Sequence, residues 1–397
     1  MVRKKASLSS FARVIGLLLV SIMVVTAFGC SSSSEANSPT QVPATPTVAA
    51  PSSFGYGFHT SLWLRPDTNE RELKLVTDAG FGWVKQRWEW RYMEPKVKGE
   101  IDWNRSDQLV KSMNDLGLKI IARVDNQPEW ATAEEYGTAT APPDNPQDYA
   151  DFIGQMAARY KEGSPYGHID AYEIWNEPNL SREWGNKAPD PAGYVDLLKA
   201  AYKSIKAADP EAIVITAGLS PTTAPPPLAM PDVDFLKQMY AAGARGYFDM
   251  LGAHGAGFKA LPELSPAEVA ADSQYNHGEG ENGRVYCFRH VEDLRDVMVA
   301  NGDSAKKVSV LEFGWTTDNR PGSPYAWHAV TEEEQADYLV RAFGYAKENW
   351  ASWIGPMVVI YIADPSMTKD TEQYYWAVTN DDGTPRPAYE ALKAMPK

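Results

Sequence analysis

The sequence predicts a single folded domain of the α/β class, a (β/α)8 TIM barrel, and three observations support this. From Phe54 onward, eight short β-rich runs alternate with longer amphipathic stretches, the pattern of parallel strands joined by helical crossovers. The 344 residues from Phe54 to Lys397 are a normal length for such a barrel. An open doubly wound sheet usually carries a Gly-rich phosphate loop after its first strand, and none stands there.

Residues 1–30 are predicted to be a signal peptide that does not belong to the fold. Four basic residues accompany the apolar run Val14 to Val25, which is shorter than the roughly 20 residues that span a bilayer. The run leads into Thr26-Ala27-Phe28-Gly29-Cys30, which resembles the bacterial lipobox, although Ala27 stands where Leu is usual. We expect Cys30 to be lipidated and to anchor the protein outside the cytoplasm on a bacterial membrane, at the cell surface or in the periplasm. Ordinary secretion with cleavage nearby is the alternative.

Composition indicates how the rest of the chain is organised. Residues 31–53 are mostly Ser, Pro, Thr and Ala, which predicts a flexible tether ahead of the domain at 54–397. The only cysteine besides Cys30 is Cys287, so we expect a buried, inert thiol and no disulfide. The net charge of −14 becomes −18 without the signal peptide, which opposes nucleic acid and favours a neutral polymer as partner.

The predicted strands are short and mostly apolar, and each is bounded by turn-forming residues. In chain order they are Phe54 to His59, Gly82 to Arg87, Lys119 to Val124, Ala171 to Asn176, Ala212 to Ala217, Phe248 to Ala253, Val308 to Phe313 and Met357 to Ile362.

The predicted helices fill the gaps between these strands, and several begin with Pro or Asp, as helix starts prefer. The clearest are Asn69 to Ala79, Pro146 to Lys161, Pro191 to Ala208, Asp232 to Ala242, Val291 to Asn301, Thr331 to Glu348 and a closing helix at Arg386 to Leu392. Long connections follow strands five, six and seven, on the face of a barrel where substrates bind. They are Ser220 to Pro231, His254 to Asn282 and Thr316 to Val330.

A glutamate stands at the carboxyl end of two of the predicted strands. Glu177 follows Asn176 at the end of strand four, and Glu312 ends the otherwise apolar strand seven. Burying an acid is costly, which suggests a paired or a working carboxylate. Glycoside hydrolysis needs two such groups, one to protonate the leaving oxygen and one to attack or support the anomeric carbon. An ion-paired acid at the barrel rim is the structural alternative for each.

These positions resemble those of glycoside hydrolase clan A, whose members place the acid/base Glu after an Asn on strand four and the nucleophile on strand seven. Asn176-Glu177-Pro178 and Leu311-Glu312-Phe313-Gly314 carry the resemblance, and segments such as Gln127-Pro128-Glu129-Trp130 extend it over residues 54–397. Within the clan the chain looks nearest to the family of β-xylosidases, iduronidases and exopolysaccharide endoglycosidases (family 39), with the cellulase-type families (family 5) close. The resemblance implies a glycosidase with Glu177 as acid/base and Glu312 as nucleophile.

Further residues are predicted to support these two. Asn176 is expected to bond the sugar 2-hydroxyl, and a strand-end cap is its alternative. Arg87 is expected to keep Glu312 ionised, while a less polar surrounding keeps Glu177 protonated. His254 is expected to orient the nucleophile or a substrate hydroxyl, or else to be an ordinary loop histidine.

Two further sets of residues have both a functional and a structural reading. Glu173 is expected to be an interior acid paired with an arginine such as Arg87 or Arg123. Four tryptophans near strand ends are candidate stacking platforms, with core packing as the alternative: Trp88, Trp130, Trp315 and Trp353.

The sequence therefore predicts a retaining hydrolase of a poly- or oligosaccharide. A transglycosylase with the same residues and a non-catalytic glycan-binding surface lipoprotein are the two rivals. No cofactor is implied, and no metal site is expected because the six His are scattered and no His-Glu-x-x-His occurs. We expect a monomer that contacts the membrane only through its anchor. The sugar, the linkage and endo or exo action stay open.

Overall fold

The computed structural model describes residues 54–137 and 139–397. The predicted signal peptide, the lipidation site at Cys30 and the linker at 31–53 lie outside these residues. Eight parallel strands form a closed barrel in sequential order, with β1 hydrogen-bonded to both β2 and β8. The strands are β1 (Gly55–Thr60), β2 (Trp83–Glu89), β3 (Lys119–Asp125), β4 (Ala171–Ile174), β5 (Ile213–Thr216), β6 (Met250–Ala256), β7 (Lys307–Gly314) and β8 (Ile354–Val359). The predicted fold class is confirmed.

The helices surround the barrel and occupy every predicted interval. They are α1 (Asn69–Asp78), α2 (Trp90–Met93), α3 (Asn104–Asp115), α4 (Pro146–Arg159), α5 (Pro191–Ala208), α6 (Asp232–Ala241), α7 (Pro266–Ala271), α8 (Val291–Ala300), α9 (Glu332–Asn349), α10 (Glu372–Trp376) and α11 (Pro387–Ala394). No helix in the part of the chain that the structure describes is long and apolar enough to cross a bilayer.

Local signals in the sequence set the beginnings of several of these helices. The side chains of Asn145 and Asp190 accept hydrogen bonds from backbone N–H groups of α4 and α5, and a Pro at the first helical position follows each. Thr331 begins α9 with a capping box to Glu334. Because these signals are local, the predicted starts of the longer helices agree with the structure to within one residue.

The barrel interior is apolar at its base and polar towards the carboxyl ends of the strands. The basal side chains form one buried apolar cluster: Trp83, Ile121, Ala171, Ile215, Met250, Leu311 and Val358. Lys85, Arg123 and Glu173 are buried, and each lies two residues beyond a basal residue on β2, β3 and β4. Since side chains of a strand alternate between faces, these charged groups point into the same interior.

β8 begins and ends three residues earlier than predicted, and β6 continues to Ala256, past its predicted end at Ala253. The departures in β4 and β7 matter for the site. β4 ends at Ile174 and not at Asn176, because Trp175 and Glu177 adopt left-handed φ values of 73° and 40°. β7 contains a bulge, so that Ala253 pairs with Val310 whereas His254 pairs with Glu312. Leu311 and Glu312 therefore both face inward, which regular alternation forbids.

The thiol of Cys287 lies in a small apolar cluster formed by the segment between β6 and α8. Cys287 is buried and free, and burial raises its pKa to about 12. A thiol in such a place is not reactive at neutral pH, which agrees with the inert role expected for it.

Candidate active site

A cleft of about 540 Å³ opens at the carboxyl ends of the strands. Glu177 and Glu312 both line it, together with Asn176, Arg123 and His254. The loops that follow β4 to β8 form its walls. Residues separated widely in the chain thus meet in one place, as the resemblance implied.

Glu312 is held among cations at the inward side of the cleft. Lys85 Nζ donates a hydrogen bond to Glu312 Oε1 at 3.1 Å, and Arg123 Nη1 donates to the same oxygen at 3.4 Å. His59 Nδ1 lies 3.4 Å from that oxygen. Burial alone would raise the pKa of Glu312, but Lys85, His254 and His59 outweigh it and hold the pKa well below the usual range.

The cation that contacts Glu312 from β2 is Lys85 rather than Arg87. Arg87 donates instead to Asp125 Oδ1 at 2.6 Å, and its guanidinium lines the cleft further out. Lys85 is completely buried, and its Nζ also lies 2.9 Å from Glu173 Oε2. Glu173 is therefore an interior acid, as expected, but its ion-pair partner is a lysine and not Arg87 or Arg123.

Both carboxylate oxygens of Glu177 carry a partner. His254 Nδ1 lies 3.1 Å from Oε1, and Arg182 Nη2 donates to Oε2 at 2.8 Å. Burial raises the pKa of Glu177, but His254 and Arg182 outweigh it and lower the pKa to about 2. The expectation of a less polar surrounding that keeps Glu177 protonated is therefore wrong, because both oxygens face polar partners.

His254 contacts both carboxylates through its two ring nitrogens. Its Nδ1 faces Glu177, while its Nε2 lies 4.0 Å from Glu312 Oε1. The imidazole is 5% exposed, so its orientation is set by the protein. The ring thus lies between the two acids, hydrogen-bonded to Glu177 and within 4.0 Å of Glu312.

Asn176 lies beside Glu177 in the cleft and is 4% exposed. Its Oδ1 has no hydrogen-bond partner among the described residues. The neighbouring Asn179 has a structural role, because its amide joins the backbone of Ser220 and Met230. Asn176 is the amide that stays available to a ligand.

The family model for cellulase, glycosyl hydrolase family 5, matches residues 36–242. The chain belongs to this family. The match includes Glu177 and ends before Glu312. Membership of this family confirms that the protein is a glycosidase, the enzyme class predicted from the sequence.

Solved structures of clan A hydrolases share the fold of this family member. A family 39 glycoside hydrolase from Bacteroides cellulosilyticus has a TM-score of 0.61 at 20% identity, over 85% of this chain and 62% of that one. A monomeric β-xylosidase from Caulobacter crescentus gives 0.57 at 20% identity, over 86% and 67%. A family 5 subfamily 18 protein from Bifidobacterium longum gives 0.57 at 15% identity, over 86% and 78%. No curated protein matches the chain.

The four tryptophans predicted as platforms all pack in the body of this glycosidase-family barrel. The indole N–H groups of Trp88, Trp130 and Trp315 donate to Ser106 Oγ, the Glu94 carbonyl and the Ala260 carbonyl. Trp353 precedes β8 at the opposite end of the barrel and packs on Trp350. None of the four lines the cleft, so core packing is the correct reading for each.

Other aromatic side chains line the cleft, and most come from the long loops. They are Phe258, Phe313, Tyr325, Tyr361 and Trp376, with Trp63 in a second lobe of about 420 Å³. Arg123, Tyr361 and Gln373 line both lobes and so mark their junction. Loop aromatics have no periodic sequence signal, which is why sequence reasoning missed them.

Glu183 is a further carboxyl in the cleft that the sequence did not single out. Burial, reinforced by the charge of Glu177, raises its pKa to about 7, although Arg123 acts in the opposite direction. Within residues 54–137 and 139–397, no group of three or more His, Cys, Asp or Glu side chains is arranged to hold a metal ion.

Proposed function

We propose that this protein is a retaining glycoside hydrolase that cleaves O-glycosidic bonds of a poly- or oligosaccharide by double displacement. The contact of one imidazole, His254, with both Glu177 and Glu312 carries the proposal. Retention requires two carboxyl groups about 5 to 5.5 Å apart at one glycosidic bond. Two carboxylates that share a buried ring are close enough to serve one sugar.

In the first step, Glu312 attacks the anomeric carbon and forms a glycosyl ester. The bond between that carbon and the glycosidic oxygen breaks, and the departing oxygen takes the proton of the Glu177 carboxyl group. Lys85 and Arg123 support this assignment, because a nucleophile must be ionised and both cations contact Glu312.

In the second step, water attacks the anomeric carbon of the ester. Glu177, now a carboxylate, accepts a proton from that water, and the bond to the Glu312 oxygen breaks. The sugar leaves with its original anomeric configuration, and both carboxyl groups return to their starting states.

A neutral glycan is the substrate class that we propose. The family is described as cellulase, and neighbouring structures include a β-xylosidase and a protein solved in complex with cellopentaose. The net charge of −14 opposes acidic polymers. The aromatic faces of Tyr361 and Trp376 suit the apolar C–H faces of sugar rings.

The test is a mechanism-based trap followed by peptide mapping. We expect a 2-deoxy-2-fluoro aryl glycoside, chosen from a panel of sugars, to label Glu312 in the wild type and nothing in Glu312→Gln. Glu177→Gln should lose turnover of unactivated glycans, whereas Glu134→Gln, an exposed acid paired with Lys187, should retain it.

The outcomes separate the proposal from its rivals. Transfer to sugar acceptors in place of water identifies a transglycosylase, and glycan binding without turnover identifies a binding protein. Labelling of any carboxylate other than Glu312 contradicts the assigned roles.

We further propose that Cys30 is lipidated and holds the domain outside the cytoplasm, as a monomer on a bacterial membrane. The supporting observations are the basic and apolar segments before Cys30 and the Ser-rich segment after it.

A further inference from the structure

The Arg182 guanidinium occupies the side of Glu177 that a leaving group must approach. Arg182 donates to Glu177 Oε2 at 2.8 Å, while His254 holds the other carboxylate oxygen. A glycosidic oxygen that receives a proton from Glu177 has to stand within hydrogen-bond distance of one of these oxygens. The buried His254 cannot move aside easily, so the place of Arg182 is the one that can be vacated.

The side chain of Arg182 is exposed, whereas the backbone on either side of it is held by hydrogen bonds. That side chain is 65% exposed, whereas that of Glu177 is only 12% exposed. Ser181 N–H donates to the Leu228 carbonyl at 2.9 Å, and Glu183 N–H donates to the Leu180 carbonyl at 3.1 Å. The guanidinium can therefore leave Glu177 without any rearrangement of the loop.

A second acid, Glu183, lies close to the Arg182 guanidinium. Glu183 Oε1 lies 3.8 Å from Arg182 Nε, and its side chain is 17% exposed. A cation that moves from Glu177 towards Glu183 stays beside a carboxyl group whose ionisation it favours, so the movement does not strand a charge in the cleft.

We propose that Arg182 is a displaceable positioning residue, which pairs with Glu177 and gives way to the aglycone sugar. Once Arg182 has left, Glu177 binds a proton from solvent water and delivers it to the glycosidic oxygen. After the aglycone departs, Glu177 accepts a proton from the attacking water and releases it to solvent as Arg182 returns and again favours the carboxylate. The inference rests on the proposed function and adds the residue that couples aglycone binding to the protonation of Glu177.

Charged and titratable groups face Glu177 from several elements, and each has to be considered in a pH experiment. They are His254 on β6, Glu312 on β7, Arg182 and Glu183 on the loop after β4, Tyr325 on the loop after β7 and Tyr361 after β8. Of the two side chains that hydrogen-bond Glu177, Arg182 is the exposed one. Its removal changes the charge around Glu177 with the least effect on the core.

The experiment follows the titration of Glu177 in the full-length protein by carboxyl carbon NMR, with the signal identified by its absence in Glu177→Gln. We expect Arg182→Gln to move the titration up by at least one pH unit. Arg182→Lys, which keeps the charge, should move it less. Lys187→Gln, which removes an exposed cation outside the cleft, should leave it unchanged.

A kinetic readout separates this role from a structural one. With an unactivated glycan as substrate, the alkaline limb of the kcat/KM profile should move to higher pH in Arg182→Gln, by an amount similar to the NMR shift. The reason is that a positive charge no longer opposes protonation of Glu177. An unchanged titration and an unchanged alkaline limb, in a variant with wild-type melting temperature, overturn the inference. Full glycan turnover by Glu177→Gln would instead defeat the proposed function itself.

Discussion

His254 on β6 pairs with Glu312 on β7 because Leu311 forms a bulge and has no partner in the strand pairing. Ala253 pairs with Val310, and the next pair along the strands is His254 with Glu312. The extra residue rotates Glu312 to the interior face, where Leu311 already packs in the basal cluster. A bulge at this rim re-aims one carboxylate, a use of bulges that recurs near active sites.

Gly252 allows Leu311 to occupy that place, which gives a first prediction. A Cβ at Gly252 would stand 2.2 Å from the Thr216 carbonyl oxygen and 2.7 Å from Leu311 Cδ1. We expect Gly252→Ala to destabilise the fold by about 1–3 kcal/mol and to lower activity by displacing the bulge. Denaturant unfolding and turnover assays measure the two effects.

The matched control for that variant is Gly344→Ala in α9. A Cβ there meets nothing within 4 Å, so the same change should stabilise the helix by roughly 0.5–1 kcal/mol. Equal losses in both variants would show that the close approach at Gly252 is unimportant.

A second prediction concerns Lys85, the buried cation between Glu173 and Glu312. Its removal raises the pKa of Glu312, so the nucleophile ionises at higher pH. We expect Lys85→Met to shift the acidic limb of kcat/KM upward and to cost about 3–5 kcal/mol of stability, the usual effect of leaving buried charges unpaired.

Lys111→Met is the control for this change. Lys111 pairs with Asp115 at 2.7 Å on the surface and is 71% exposed, so its loss should change stability by about 0.5 kcal/mol at most. If the acidic limb does not move in Lys85→Met, Lys85 does not lower the pKa of Glu312.

A third prediction follows from His290, which is buried between Asp232 and Asp293 at 2.9 Å from each. Burial lowers its pKa, but the two carboxylates outweigh burial and raise the pKa to about 9. A pKa raised on folding contributes stability below the unfolded value of about 6.5, and the contribution disappears as pH rises through about 9.

The stability gap between wild type and His290→Gln should therefore be widest near pH 6 and should narrow by pH 10. Urea unfolding of both proteins across this range measures the gap. A gap that is constant with pH would mean that His290 is not charged in the folded protein.

A fourth prediction separates the cleft aromatics from those of the core. Trp315 is fully buried, so Trp315→Ala should cost about 3–5 kcal/mol of stability. Tyr361 lines both lobes of the cleft, so Tyr361→Ala should lower kcat/KM by about tenfold, equivalent to ~1.4 kcal/mol. Thermal unfolding should be lowered more by Trp315→Ala than by Tyr361→Ala. A larger loss of stability in Tyr361→Ala would contradict the location assigned to each ring.

A fifth prediction tests the anchor. We expect Cys30→Ser to release the protein from the membrane fraction into the soluble extracytoplasmic fraction, and radioactive palmitate to label only the wild type. Membrane association that survives the substitution rules out lipidation at Cys30 as the cause of attachment.

The sequence by itself determined the barrel, the order of its eight strands and the positions of Glu177 and Glu312. It could do so because hydrophobic periodicity, helix caps and a costly acid at a strand end are local properties of the chain. Asn176 before Glu177 and the Phe313-Gly314 pair after Glu312 added family resemblance at those same positions.

Tertiary structure alone decided which groups surround these acids. Lys85 rather than Arg87 contacts Glu312, Arg182 pairs with Glu177, and the predicted tryptophans pack away from the cleft. Such contacts depend on strand register, on the bulge in β7 and on left-handed residues after β4. A shift of one residue turns a side chain to the other face, and no local pattern in the sequence records that shift.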